Sequence, residues 1–177
     1  MSKVTNVVFA GLGGQGVLKV SDILADAAVH AGLDVKKSEL HGMSQRGGSV
    51  SSDVRFGDEV FSPMIPEGEA DYLVVLDETQ VDVTRHLLRE GGVLITPEVF
   101  YDEDQGIEDV DDLVADEDNP VTERNLNVAL LGALSVRLDL PESCLLEGVR
   151  ANLPERLHEM NLEVFQYGVS AARKRLS

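Results

Sequence analysis

A single cysteine, Cys144, no tryptophan and a shortage of bases set the first limits on this chain. One thiol excludes an intrachain disulfide and makes a reducing compartment the simpler reading. It also excludes an iron–sulfur cluster held by this chain alone, because such clusters normally take four thiolates. Fifteen Lys and Arg stand against 32 Asp and Glu, a formal net charge of -17. A surface of that sign repels nucleic acid and anionic lipid over about a Debye length, roughly 8 Å at physiological salt. No apolar run approaches the roughly 18 residues needed to cross a membrane. The opening MSKVTNVVFAGLGG passes from strand into glycine turn without the apolar stretch and cleavage site of a secretory signal. The sequence therefore predicts a cytoplasmic protein with no nucleic-acid or membrane partner. A Walker loop, a nucleophile elbow and a His–Glu metal signature are also missing, so there is no complete catalytic kit.

What is present is ordinary globular composition, 43% hydrophobic and 27% charged, in 177 residues. That length fits one domain, residues 1–177, and buries roughly 70% of the unfolded surface without staples. Val4 to Ala10 is a short apolar run ended by glycine, the pattern of a buried parallel strand. Helical spacing follows to Ala31, with Gly32 as its stop. Leu33 to Leu40 reads as a second, less apolar strand. The segment SVSSDVRFGDEVFSP alternates around a Gly57-Asp58 turn and predicts a hairpin there. Asp71 to Leu76 and Val93 to Thr96 are further buried strands, separated by a helix running through Leu88. Leu126 to Leu138 is apolar nearly all round and predicts a helix buried on several sides, with Gly132 permitting close backbone approach. A short helix from Pro141 and a long one over Glu155 to Arg175 complete the chain. Its closing Arg173, Lys174 and Arg175 suit a helix C-terminus. Alternating strands and helices argue for an α/β fold, a single three-layer Rossmann-like domain with a mostly parallel, mixed sheet.

Two glycine-rich stretches carry the functional signals. In FAGLGGQGV, Gly11, Gly13 and Gly16 fit the G-x-G-x-x-G spacing that lets backbone amides approach a pyrophosphate at a helix start. Glu39 stands where a ribose-binding acid would. In HGMSQRGGSV, Arg46 lies beside Gly47 and Gly48, so a guanidinium and nearby amides can converge on one anion. The plain alternative is an Arg paired with a surface acid. His41 reads as a residue ordering that loop rather than as a base, and Cys144 as a small, half-buried side chain. Tyr101 to Asp118 holds ten acids and no base. It reads as a solvated loop, since its aspartates miss the spacing of a calcium loop by one residue.

Taken together, GLGGQGV, ELHGMSQRGGSV, VRFG, SPMIPEGEADYLVVLDE, NLNVALLGAL and NLEVFQYG resemble the gamma-type subunit of 2-oxoacid:ferredoxin oxidoreductases, and within it the indolepyruvate branch. The likeness runs through nearly the whole chain in order. It implies a subunit, inactive alone, of a complex that oxidatively decarboxylates a 2-oxo acid to an acyl-coenzyme A and reduces ferredoxin. It further implies that thiamine diphosphate and the iron–sulfur clusters sit on a larger partner subunit, and that this chain carries no cofactor by itself but helps form the coenzyme A side of the site. On that reading Gly11, Gly13, Gly14, Gln15 and Gly16 make a backbone-amide cradle or interface loop. Ser44, Gln45, Arg46, Gly47 and Gly48 make an anion-facing or partner-facing loop. An aryl pyruvate is the favoured substrate, with branched-chain 2-oxo acids, pyruvate and 2-oxoglutarate open. Two other classes stay open: an NAD(P)-binding Rossmann oxidoreductase, and a free-standing coenzyme A- or anion-binding regulatory module.

Overall fold

A computed structural model describes residues 3–41 and 47–177. Five strands, β1 (Val4–Leu12), β2 (Asp34–His41), β3 (Ser49–Gly57), β4 (Ala70–Val75) and β5 (Leu88–Ile95), form one sheet in the order β2-β3-β1-β4-β5. β1, β4 and β5 run parallel, and β3 runs against both β1 and β2. The sheet is thus mixed with one reversed strand. The expected hairpin is real but lies elsewhere. Gly57-Asp58 does not fold β3 back on itself; β3 is one straight nine-residue strand whose hairpin partner is β2, with Asp34 opposite Gly57 and His41 opposite Val50. The glycine-rich HGMSQRGG stretch is therefore the hairpin connection. The alternation in SVSSDVRFG reports a strand with one face under helices, and such a pattern does not specify which neighbour it pairs with.

Four helices cover one face: α1 (Val17–His30), α3 (Leu126–Ser135), α4 (Glu142–Asn152) and α5 (His158–Leu176). Their apolar stripes meet Val7, Phe9, Val54, Phe56, Val74 and Leu76 in the main core. α3 is buried along its whole length except its last residue, as its uniformly apolar sequence requires. It crosses α5 where Gly132 faces the Phe165 carbonyl and Gly168 faces the Ala129 carbonyl, so backbone meets backbone. Gly148 of α4 meets the Ile23 carbonyl of α1 in the same manner.

The opposite face carries a thinner layer. Val8, Ala10, Leu73 and Val75 are closed off there by Ile65 from the β3–β4 connection and by the turns over 78–87. The continuous helix expected through Leu88 is instead a 3-10 turn, the four-residue α2 (Val81–Thr84) and a second 3-10 turn. The segment is too short to sustain a helix on its own, and only Gln80 and Thr84 within it are buried. The acidic stretch behaves as a solvated loop whose carboxylates build their own turns. Asp102, Asp109 and Asp116 accept hydrogen bonds from the amides of Asp104, Asp111 and Asp118, while Leu113 pegs the loop to the core.

Candidate functional site

β1 connects leftward through α1 to β2, while its right-hand neighbour is β4. The strand order therefore reverses between β1 and β4, and open α/β sheets bind ligands outside the carboxyl ends of strands at such a reversal. The first glycine loop lies there. Gly14 and Gly16 adopt φ of 94° and 81°, which β-carbon-bearing residues rarely reach. Gly11 is needed for space: a Cβ on it would lie 2.8 Å from Gln15 Oε1 and 3.2 Å from Leu76 Cβ.

Gln15 is the centre of this turn. Its side-chain oxygen accepts from the Leu12 amide at 2.7 Å, and its side-chain amide donates to Asp77 Oδ2 at 2.9 Å. The other Asp77 oxygen accepts from the Thr79 amide at 3.0 Å and from the Thr79 hydroxyl. Burial alone would raise the Asp77 pKa. The hydrogen bonds from Thr79 and Gln15 outweigh it and hold the carboxyl below the usual range. One glutamine thus ties the turn after β1 to the turn after β4. Asn127, at the start of α3, closes the far side by donating to the Gly16 carbonyl at 3.2 Å.

Gly48 and Ser49, at the end of the second glycine stretch, reach the same edge. The Gly13 amide donates to the Gly48 carbonyl at 2.8 Å, and the Ser49 hydroxyl donates to Gln80 Oε1 at 2.6 Å. Gly47 adopts a φ of 72°. The structure therefore gathers Gly11, Gly13, Gly14, Gln15, Gly16, Gly47 and Gly48 at one end of the sheet. Ser44, Gln45 and Arg46 lie outside the described residues, as does the side chain of His41. Glu39 binds Lys37, which also pairs with Asp22 of α1, and β3 stands between the strand of Glu39 and β1.

Between the β1 and β4 turns is a crevice of about 220 Å³ lined by Gln15, Tyr101 and five carboxylates, those of Asp77, Glu78, Asp109, Asp111 and Glu123. Tyr101 donates to Glu78 at 2.6 Å. Burial, then that bond and the surrounding acids, push its phenol well above the ordinary value. This environment does not fit a pyrophosphate. The amides of Leu12, Gly13 and Gln15 are committed to internal partners, and every charged group described on the crevice wall is negative. In Gly11–Gly16 the glycine spacing of a dinucleotide turn is kept, while three of its amides serve internal bonds. Sequence reasoning singled out Gln15, but not its partner Asp77, nor Asn127 and Gln80 as braces. The available signal was polarity: Asn127 is a rare polar residue in an otherwise apolar helix, and Asp77 ends an apolar strand.

The fold and this site define a Rossmann-like α/β module whose switch-point turn is braced from within by a glutamine and faces an acidic cleft. Residues 6–171 match the model of the pyruvate ferredoxin/flavodoxin oxidoreductase family, and the chain belongs to that family. It is 36% identical to the indolepyruvate oxidoreductase subunit IorB of Thermococcus kodakarensis, over 98% of both chains. It is 34% identical to the subunit of the same name from Pyrococcus horikoshii, over 99% of both. Among solved structures it resembles the gamma subunit of a keto/oxoacid ferredoxin oxidoreductase from Geobacter sulfurreducens, with a TM-score of 0.73 and 26% identity over 96% of this chain and 99% of that one.

Proposed function

We propose that this chain is the small subunit of an indolepyruvate-type 2-oxoacid:ferredoxin oxidoreductase and is inactive alone. The observation that carries the reading is end-to-end likeness to IorB subunits, with Gly48 hydrogen-bonded to Gly13 of the first glycine turn. The complex converts an aryl pyruvate and coenzyme A to the aryl-acetyl thioester and carbon dioxide, and the two electrons released pass to ferredoxin. Thiamine diphosphate, when bound by the larger subunit, supplies the electron sink for decarboxylation, and iron–sulfur clusters there carry the electrons away. One cysteine in this chain cannot supply the four thiolates that an iron–sulfur cluster normally takes.

This chain contributes shape and water exclusion beside the reaction centre. Gln15 and Asp77 fix the relative positions of the β1 and β4 turns, and Gly11–Gly16 serves as a partner-facing loop. The anion-facing role is assigned to Ser44–Gly48, with Arg46 as the side chain whose charge suits a coenzyme A phosphate. Cytoplasmic location follows from reduced ferredoxin as product, and no helix among the described residues is long and apolar enough to cross a membrane.

The test is co-expression with the larger thiamine- and iron–sulfur-binding subunit, followed by coenzyme A-dependent ferredoxin reduction with indolepyruvate, phenylpyruvate, 2-oxoisovalerate, pyruvate and 2-oxoglutarate. The account expects the highest kcat/KM with the two aryl pyruvates. A preference of tenfold or more for any of the other three would overturn the substrate assignment. NADH bound at micromolar affinity by the isolated chain would overturn the subunit reading in favour of a nicotinamide enzyme.

A further inference from the structure

The connection between β3 and β4 crosses the thin face of the sheet as a strap, and three side chains of the strands beneath hold its backbone. The Val60 amide donates to Asp34 at 2.8 Å, and the Ile65 amide donates to Asp53 at 2.9 Å. Arg55 donates to the carbonyls of Ser62 at 2.9 Å and Met64 at 3.2 Å, and its Nε is itself fixed by Asn6. Val60 and Ile65 are buried as pegs. Between the pegs the chain turns its largest apolar groups outward, leaving Phe61 86% exposed and Met64 57% exposed, with Pro63 also exposed. Leu40, on the same sheet face in β2, is 59% exposed.

An apolar side chain left in water by a loose loop needs no explanation, but here the backbone is held by four hydrogen bonds and two prolines. Such a segment loses little further freedom on association, which is what makes a displayed aromatic an efficient anchor. The flanks carry Asp58, Glu59, Glu67 and Glu69, all exposed, and no Lys or Arg occurs between Phe56 and Thr84. A second copy of the chain would set those acids against their own equivalents in a two-fold interface, with -17 on each side.

We infer that the strap over residues 60–66, led by Phe61 and Met64, is the docking anchor for a different polypeptide that offers an apolar pocket rimmed by Lys and Arg. On the subunit reading above, on which this inference rests, that polypeptide is the larger subunit of the oxidoreductase. The acids keep copies of this chain apart and match a basic rim, while Phe61 supplies the affinity.

The experiment is biosensor titration of the purified larger subunit with the wild-type chain and with Phe61→Ala, Met64→Ala and Phe61→Leu variants. Sedimentation of each isolated chain and its melting temperature are measured in parallel. Truncating a central aromatic anchor lowers affinity by about 30-fold or more, chiefly through faster dissociation. Phe61→Ala is expected to show that loss, Met64→Ala a smaller one, and Phe61→Leu to recover part of it, with melting temperatures unchanged because both side chains are exposed. If the wild type binds and Phe61→Ala binds equally well, the anchor assignment is overturned while the subunit reading stands. If the wild type does not bind, the subunit reading falls and this inference falls with it. Self-association of the isolated wild type that disappears in Phe61→Ala would make a second copy the occupant and refute the inference.

Discussion

Gly168→Ala puts the helix-packing account at risk because two effects of opposite sign compete. Replacing a mid-helix glycine with alanine gains about 1 kcal/mol of intrinsic helix propensity. At Gly168, however, an added Cβ would lie 2.9 Å from the Ala129 carbonyl carbon, nearer still to its oxygen, and 3.1 Å from the Ala133 amide nitrogen. Ordinary contacts to carbon or oxygen begin above about 3 Å, so α3 and α5 must move apart by more than about 1 Å, which forfeits about half of the attraction across the gap. The obstructing atoms are backbone on both sides, and no rotamer change relieves them. Overpacking of this kind costs about 1–3 kcal/mol or more. Since nothing here can yield, we take the upper end and expect a net loss of about 2 kcal/mol, or a fall of roughly 4–8 °C in melting temperature for a chain of this length. Urea denaturation of the isolated chain, with Ser170→Ala on the exposed side of the same helix as the propensity control, measures it. The control should be unchanged or slightly stabilised. A Gly168→Ala variant as stable as the wild type, or more so, would refute direct backbone contact between α3 and α5.

Further outcomes follow from the site. Gln15→Ala removes the bridge between the β1 and β4 turns and leaves the Leu12 amide and the Asp77 carboxylate each short of a partner, costing about 1–3 kcal/mol; equilibrium unfolding checks it, and Gln15→Glu should not rescue because it sets a carboxylate against Asp77. The Asp77 pKa is lower folded than unfolded, so its contribution to stability is fully present above the ordinary carboxylate value of 3.8 and is lost as pH falls through the folded value. Asp77→Asn should therefore flatten that part of the acid unfolding curve while lowering stability at pH 7; a variant with an unchanged acid limb would contradict the hydrogen-bond assignment. Arg46→Ala should raise the KM for coenzyme A in the assembled complex and leave decarboxylation unaltered, as read by carbon dioxide release with an artificial electron acceptor; unchanged coenzyme A kinetics would remove that side chain from the thioester-forming step.

How far the sequence could be read depended on whether a signal was local. Val4–Leu12 and Ala70–Val75 were legible because buried parallel strands are unbroken apolar runs, and α3 because it is apolar on every side. The partner of β3 was not, since alternation reveals one covered face and is silent about pairing; only the long-range register shows that HGMSQRGG joins β2 to β3. The turns over 78–87 were misread as one helix because their spacing resembles a helix while their length cannot support one. At the site, glycine spacing announced a tight turn but could not tell a phosphate cradle from a turn filled by its own glutamine. That distinction rests on Asp77, 62 residues away in sequence, and on the carboxylates the acidic loop brings to the crevice. Gly132 was recognised as a point of close approach, and the structure identifies the approaching backbone as α5 of the same chain.

Division of labour between two subunits is the central claim, and reconstitution tests it most directly. The larger subunit, loaded with thiamine diphosphate and iron–sulfur clusters, is assayed for indolepyruvate- and coenzyme A-dependent ferredoxin reduction while this chain is titrated in. The account predicts negligible turnover by either protein alone and a rise that saturates at a fixed molar ratio. Full turnover by the larger subunit without this chain, or turnover by this chain without it, would contradict the claim.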